Sequence, residues 1–343
     1  MLFRSDVNIK ANNDAALSVE GAGNTTITLK GDNTLTSDGQ HAGLEHNEKD
    51  YYGREDTGKL TITSGNENGR NTGSLTATGS GASAGIGSVW NTGKVSNSGA
   101  GTIEITGGDI TAIGASDGAG IGSGTWATGE TNITISGTAK INARTDQGGA
   151  GIGSGDGSTG QTTVTIKSGT IKNATGGNTG DGIGGGCDSK NITVKIEGGT
   201  IEKAKGGDGY GSHDAGDGIH SDGELTISGG TIGTAQGGNG TISGGSGILG
   251  NTMEILAGTI QKAIGGNSTG TGENDTGGDG ISAREFNISG GKIQQATGGA
   301  STNGSGGSGI YSSTLTISGN ATIGNAQGGD GNASGGSGIL GKT

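Results

Sequence analysis

The chain has 343 residues, of which 85 are glycine and none is proline, and its 20 basic and 32 acidic residues give a net charge of −12. The lack of proline and of a G-X-Y period excludes a collagen triple helix, and the acidic balance argues against a nucleic-acid partner. With only 27% hydrophobic and 2% aromatic residues, the chain cannot fill an ordinary globular core, which leaves a disordered glycine-rich tract or a regular repeat.

The first hundred residues contain apolar positions without a strict period. Residues 1–5 match no repeat position, and we expect them to be a non-native leader. They also lack the long apolar core of a signal peptide. We expect residues 6–100 to form irregular N-terminal coils. The apolar residues of two such coils are Ile27, Leu29, Leu35 and Leu44 in the first and Ile62, Leu75 and Ile86 in the second.

Two tryptophans stand at matching places in neighbouring coils of this part of the chain. Trp90 follows Ile86 by four residues, and Trp126 follows Ile121 by five. We expect the two side chains to lie next to each other at one corner. Two indoles on a rigid scaffold can stack on sugar rings, so Trp90 and Trp126 are our candidate ligand-binding residues. The alternative is that they cover the inner end of a corner loop.

From residue 101 onward a period of about 30 residues runs through the chain. Isoleucines recur in three columns, and a period of this length is typical of a solenoid. Apolar and β-branched residues alternate with polar ones around each column, as in Leu225–Ser228, which indicates short strands. The first column consists of Ile105, Ile135, Ile166, Ile196, Ile227, Ile255, Ile288 and Ile317.

These columns predict an all-β protein. We expect a right-handed parallel β-helix, that is, a β-solenoid of about ten coils with three short strands in each. Residues 101–343 form its regular coils, and the whole chain is one continuous domain. The absence of proline fits, because a proline would remove a hydrogen bond from the ladder at almost any position in a central strand.

Aspartates precede the glycine-isoleucine pair in three of the later coils. Asp181 and Asp217 fall on adjacent coils, where two carboxylates repel each other unless a cation lies between them, and Asp279 occupies the same place further on. Calcium is our candidate cofactor, with these three residues as ligands. The alternative is that each carboxylate bonds to the backbone of its turn.

The remaining polar residues of this region suggest no site by themselves. His213 and His220 flank Asp217 and could extend a metal or acid–base site, or be solvated loop residues. Cys187 is the single cysteine, so we expect no disulfide framework and no zinc site, because metal sites need several ligands at short spacing. We expect Cys187 to be a small packing residue, and a reactive thiol is the alternative.

Coil length is nearly constant, but the longest loop changes place near residues 190–220. In earlier coils it follows the glycine-isoleucine pair, and in later coils it precedes that pair. We expect one solenoid whose loops project from two different edges, although a domain boundary there is the alternative.

The chain stops at Gly341–Thr343, where another strand is due. We therefore expect a truncated C-terminus and a place within a longer multidomain chain. No apolar run approaches the length of about 18 residues that a transmembrane helix needs, so we expect no transmembrane segment.

Three motifs carry a resemblance to known proteins. They are D-G-I at Asp181–Ile183, Asp217–Ile219 and Asp279–Ile281, L-T-I-S-G-G-T-I at Leu225–Ile232, and G-A-G-I-G-S-G at Gly118–Gly124 and Gly149–Gly155. Together they resemble glycine-rich surface proteins of bacteria such as the gut Firmicutes, and the chain is similar to the clostridial carbohydrate-binding β-helix family. The resemblance implies a secreted or cell-surface protein, calcium at the aspartates of the D-G-I motifs, and a polysaccharide or other glycan partner that is not cleaved.

We therefore expect a noncatalytic carbohydrate-binding or adhesin module, extracellular or on the cell surface and assisted by calcium. Two alternatives remain open. One is a structural stalk of a larger adhesin, and the other is a pectate-lyase-like enzyme. The enzyme would need a basic residue beside calcium-binding carboxylates, and no coil shows that arrangement in its sequence, so we name no catalytic residue.

Overall fold

The computed structural model describes residues 6–49, 57–90 and 99–341. These residues form an all-β protein, a solenoid of parallel sheets with about ten turns of about 31 residues each, which confirms the predicted fold class. The expected leader, residues 1–5, lies outside the described residues. No helix long and apolar enough to cross a bilayer occurs in the described ranges.

One face of the solenoid is an eleven-stranded parallel sheet, which we call sheet 1. Each coil contributes one strand to it, and equivalent residues of successive coils pair with each other. Ile110 pairs with Ile141 and Ile141 with Ile171, for example. Its strands are Asn8–Lys10, Gly31–Thr36, Gly73–Thr78, Asp109–Ile113, Lys140–Arg144, Thr170–Thr175, Thr200–Lys205, Thr231–Gln236, Thr259–Ile264, Lys292–Thr297 and Thr322–Gln327.

The remaining parallel strands form sheet 2. In the first half of the chain each coil gives it two strands, a two-residue strand and a five-residue strand. The two-residue strands are Leu17–Ser18, Leu44–Glu45, Ile86–Gly87, Ile121–Gly122, Ile152–Gly153 and Ile183–Gly184. The five-residue strands are Thr25–Leu29, Leu60–Ser64, Gly101–Ile105, Thr131–Ile135, Thr162–Ile166 and Ile192–Ile196. A short antiparallel pair, Asn66–Glu67 with Arg70–Asn71, stands apart from both sheets.

In the second half these two strands join into one long strand per coil. The long strands are Ile219–Ile227, Ile248–Ile255, Ile281–Ile288 and Ile310–Ile317. The short strand Ile339–Gly341 pairs with the beginning of the last of them. Three strands per coil therefore describe the first half, and two strands per coil describe the second.

From Ile86 onward a glycine accompanies the short strands, whereas the two earlier short strands end at Ser18 and Glu45. In the first half the residue after the isoleucine is glycine, and Gly122 and Gly153 have φ angles of +139° and +143°. Only glycine adopts this conformation readily, and a Cβ built on Gly153 would overlap the carbonyl oxygen of Gly184. The chain turns there and starts its loop. In the second half the same position holds side chains such as Leu249, so the strand continues and the loop must leave elsewhere.

The later loops stack on one another. They lie between sheet 1 and the long strands, at residues 206–218, 237–247, 265–280, 298–309 and 328–338. Single parallel bridges join Gly240 to Ser268, Ser268 to Ser301, and Ser301 to Gly331. The loops are thus an ordered flank of the solenoid.

The core is a thin stack of isoleucine columns between the two sheets. The first column pairs in register from Ile105 through Ile135 and Ile166 to Ile288, and these four side chains are at most 1% exposed. Each coil buries a few aliphatic side chains between the coils above and below it. Ile317 is 50% exposed, because within the described residues no equivalent isoleucine follows it in its column.

Candidate functional site

The tryptophans lie in the loops that follow the turning glycines. Trp126, Gly157 and Asp188 each stand five residues after the isoleucine of their coil, and all three have φ between +55° and +62°. The backbone nitrogen of Trp126 donates to the carbonyl of Asp156 in the next coil at 2.8 Å. The loops are therefore stacked in register, and the position of Trp126 is fixed by the solenoid itself.

The structure brings Trp90 and Trp126 together. Their ring centroids are 6.1 Å apart and the ring planes are inclined by 57°. Trp126 is 54% exposed, whereas Trp90 is half-buried and its backbone nitrogen donates to the Ser83 hydroxyl. A Cβ on Gly157 would overlap Cδ1 of the Trp126 indole, so this glycine provides the space in which the ring lies. The pair forms an angled aromatic corner with one accessible indole.

The three predicted calcium ligands occupy one column but do not form one group. Asp181 and Asp217 are neighbours, since Oδ1 of Asp181 accepts the backbone N–H of Asp217 at 2.8 Å. Asp279 lies two coils beyond Asp217, with Ser246 between them, which places it about 10 Å away at the usual strand spacing.

Each of these carboxylates bonds to the next coil. Oδ1 of Asp217 accepts the backbone N–H of Ser246 at 2.5 Å, and Oδ1 of Asp279 accepts that of Ser308 at 2.7 Å. These carboxylates thus accept backbone N–H groups of the turn in the next coil, and Asp181 also accepts that of Gly185 in its own turn. Calcium at these positions stays a prediction.

His220 lies between the carboxylates of the neighbouring aspartates. Its Nδ1 is 2.9 Å from Oδ2 of Asp181 and 3.9 Å from Oδ2 of Asp217, and its Nε2 is 3.4 Å from Oδ1 of Asp222. Both ring nitrogens face carboxylates, an arrangement that favours the imidazolium form with hydrogen on each nitrogen. This cation reduces the repulsion between Asp181 and Asp217.

The pKa values of this cluster follow from burial and from the opposite charges. Burial and the charge of Asp181 raise the pKa of Asp217 to about 7, against a smaller opposing effect of His220. Burial lowers the pKa of His220, but the carboxylates around it, Asp181 foremost, raise it well above its usual value. Burial raises the pKa of Asp222, but the hydrogen bond and charge of His220 outweigh this and hold it low.

A groove opens beside this cluster on the outer face of the long strands. Its volume is about 420 Å³, and it crosses four coils. His220, Leu249, Ser282 and Tyr311 line one side because they pair with each other in register. Asp222, Asn251 and Arg284 also line it, together with Ser221 and Ser313.

A second cavity, of about 400 Å³, lies near the place where the loop changes position. Asp117, Asp156 and Asp188 line it together with Cys187 and His213. Burial, with the charges of Asp117 and Asp188, raises the pKa of Asp156 to about 6. Burial also raises the pKa of the Cys187 thiol, so this cavity holds a thiol, an imidazole and several carboxylates in a strongly acidic environment.

The sequence predicted the positions of the two tryptophans and of the aspartate column. It did not predict which residues come together in the groove beside His220 and in the cavity near Cys187. Arg284 and Asp222 line the same groove although they are far apart in the chain. Cys187 contacts His213, which belongs to the adjacent coil. The column offset was the available signal for Asp222 and Arg284, because each follows the isoleucine of its coil by three residues, and residues at equal offsets stack. No equal offset relates Cys187 to His213.

Comparisons of the chain with protein-family models, with curated proteins and with solved structures found no match. The functional interpretation therefore rests on the geometry of these sites.

Proposed function

We propose that this β-solenoid is a noncatalytic glycan-binding module, secreted or displayed on the cell surface as part of an adhesin. The observation that supports this most is the aromatic corner of Trp90 and Trp126. An accessible indole, held by stacked loops and backed by a second indole, offers a flat apolar face to a sugar ring at little cost in conformational entropy.

The groove beside His220 provides a second surface suited to a polysaccharide. It is elongated along the solenoid, and Tyr311 and Leu249 give it apolar faces while Asn251 and Arg284 give it hydrogen-bond donors. The Arg284 guanidinium can pair with a carboxylate in a bidentate manner. This favours a chain that carries uronic acid residues.

A glycan array probed with the purified protein tests the proposal. Acidic or β-linked polysaccharides should bind, and Trp126→Ala should weaken binding at least about tenfold, because truncating a central aromatic residue costs roughly 2 kcal/mol or more. The double variant with Trp90→Ala should abolish it. Repeating the array with calcium and with a chelator shows whether calcium assists.

Tyr210→Ala is the matched control. Tyr210 is 63% exposed but belongs to a different loop, so its loss should leave glycan binding unchanged. Absence of binding to every glycan, or equal binding by the tryptophan variants, would replace the proposal with that of a purely structural stalk.

The groove also favours one enzymatic alternative, since it places Arg284 along the same surface as Asp222. A lyase acting on polygalacturonate would remove a proton beside the uronate and create an unsaturated product that absorbs in the ultraviolet. Incubation of the protein with polygalacturonate and calcium should give a flat absorbance trace. A steady rise that Arg284→Ala abolishes would instead establish the enzyme.

A further inference from the structure

The cavity near Cys187 lies where two kinds of loop meet. The coil of Ile183 has its loop after the turning glycine, at residues 185–191, and the next coil has its loop before Ile219, at residues 206–218. In the coils on either side of this crossover, from Ile121 onward, neighbouring long loops leave from the same edge. At this crossover, side chains from the two loop types therefore face each other.

Three metal-ligating side chains converge there. The ligand atoms of Cys187, Asp188 and His213 all lie within 4.8 Å of one another, and Cys187 Sγ is 3.9 Å from His213 Nδ1. Sulfur and nitrogen ligands at about 2.3 and 2.1 Å from a tetrahedral zinc ion stand roughly 3.6 Å apart. A shift of a few tenths of an ångström would bring the pair to that separation.

We propose that Cys187, Asp188 and His213 bind a divalent transition-metal ion of the zinc type. A thiolate together with an imidazole selects such ions over calcium and magnesium, which prefer oxygen ligands. On binding, the Cys187 thiol releases its proton to solvent and the sulfur bonds to the metal. Three protein ligands leave the fourth position open to the cavity for water or a ligand.

The surroundings of the three ligands suit a cation. Asp117 and Asp156 line the same cavity, and no lysine or arginine is found among the described residues that line it. The Tyr210 ring lies against the His213 ring, with centroids 5.8 Å apart and planes inclined by 31°. This contact positions the imidazole.

The cluster of Asp181, Asp217 and His220 meets the same distance criterion but differs in its hydrogen bonding. Oδ1 and Oδ2 of Asp181 already accept the backbone N–H groups of Asp217 and Gly185, and His220 contacts Oδ2 as well. By contrast, the structure shows no hydrogen bond to the Asp188 carboxylate from any described side chain. Of the two groups, Cys187, Asp188 and His213 therefore form the better candidate for an ion-binding site.

Metal titration of the chelator-treated, dialysed protein tests this inference. Calorimetry with Zn²⁺ should show one equivalent bound, and Co²⁺ should give a thiolate-to-metal absorption band in the near ultraviolet. Cys187→Ser should remove the band and, like His213→Ala, weaken Zn²⁺ binding at least tenfold. Asp188→Asn should weaken it by a smaller factor.

Asp214→Asn and His220→Gln are the controls, since Asp214 adjoins His213 without belonging to the ligand set and His220 belongs to the other cluster. Both should bind Zn²⁺ as the unaltered protein does, and circular dichroism should show each variant folded. Binding that is weaker than millimolar, that survives Cys187→Ser with His213→Ala, or that is lost with His220→Gln would overturn the proposal.

Discussion

At the scale of single residues, His220 has the largest electrostatic role that we find in the described part of the chain. It holds a positive charge beside two buried aspartates, Asp181 and Asp217, and an exposed one, Asp222. A histidine that simply pointed into solvent from its loop could not do this. The protonation state of the His220 imidazole therefore affects how the two adjacent coils that carry Asp181 and Asp217 pack against each other.

This arrangement predicts how stability changes with pH. The pKa of Asp217 is raised to about 7 on folding, so its favourable contribution is complete below its ordinary pKa of 3.8 and is lost as the pH rises to about 7. The contribution of His220 has the same sign, because its pKa is also raised, and it is lost only above the ordinary value of 6.5. Stability should therefore decline from pH 4 to pH 8.

Asp217→Asn tests this account. The amide resembles the protonated carboxyl, so the variant should match the unaltered protein at pH 4 and exceed it at pH 8 by roughly 2 kcal/mol. Denaturant melts across this pH range measure the difference. Asp222→Asn should act in the opposite direction near pH 7, because the pKa of Asp222 is lowered. Identical pH profiles for all three proteins would contradict this account.

At the scale of the structural element, one backbone position goes with the shape of each coil from Ile86 onward, whereas the two earlier short strands end at Ser18 and Glu45. Glycine after the isoleucine ends the short strand with a turn, as at Gly153, and a residue with a side chain there lets the strand run on, as at Leu249. The loop then leaves from the other end of the coil. The change at His220, the first non-glycine after the run of glycines, therefore creates the crossover at which Cys187 meets His213.

Gly153→Ala should destabilise the protein by about 3 kcal/mol or more. The alanine Cβ would overlap the backbone of Gly184, and φ of +143° is unfavourable for any residue with a side chain. Chemical denaturation measures the loss. Leu249→Ala, at the equivalent position of a long strand, should cost less than about 1.5 kcal/mol, and equal losses would refute this role of the glycine.

At the scale of the whole molecule, stability is distributed along the solenoid. Each coil packs only on its neighbours, so the value of a core residue depends on whether coils cover it on both sides. Ile166 and Ile317 belong to the same column, but Ile166 is 1% exposed and Ile317 is 50% exposed.

The same substitution at the two positions should therefore have different effects. Ile166→Ala should cost about 2–4 kcal/mol, the usual range for truncating a buried isoleucine, whereas Ile317→Ala should cost less than about 1 kcal/mol. Thermal and denaturant unfolding of the two variants make the comparison. A similar loss at both positions would show that Ile317 is covered in solution.

The amino-acid sequence by itself determined the fold. Isoleucines such as Ile105, Ile135 and Ile166 recur about once per coil and pair with each other in register. Because side chains alternate along a strand, residues at equal offsets must stack. Trp90 and Trp126 follow their isoleucines by four and five residues, so their similar offsets placed them at the same corner without an equal register. Offsets measured from the isoleucines are thus sufficient wherever strands or equivalent loops superpose.

Only the tertiary structure decided which loop side chains meet. Cys187 and His213 belong to different loops of adjacent coils, and no common offset relates them. Asp222 and Arg284 differ from this pair, because each follows the isoleucine of its coil by three residues and their alignment could be read from the sequence. The proximity of Cys187 and His213 depends on the paths of irregular loops and on side-chain rotamers, which the period does not specify. The charge of His220 likewise follows from three carboxylates that only the folded chain places around one ring.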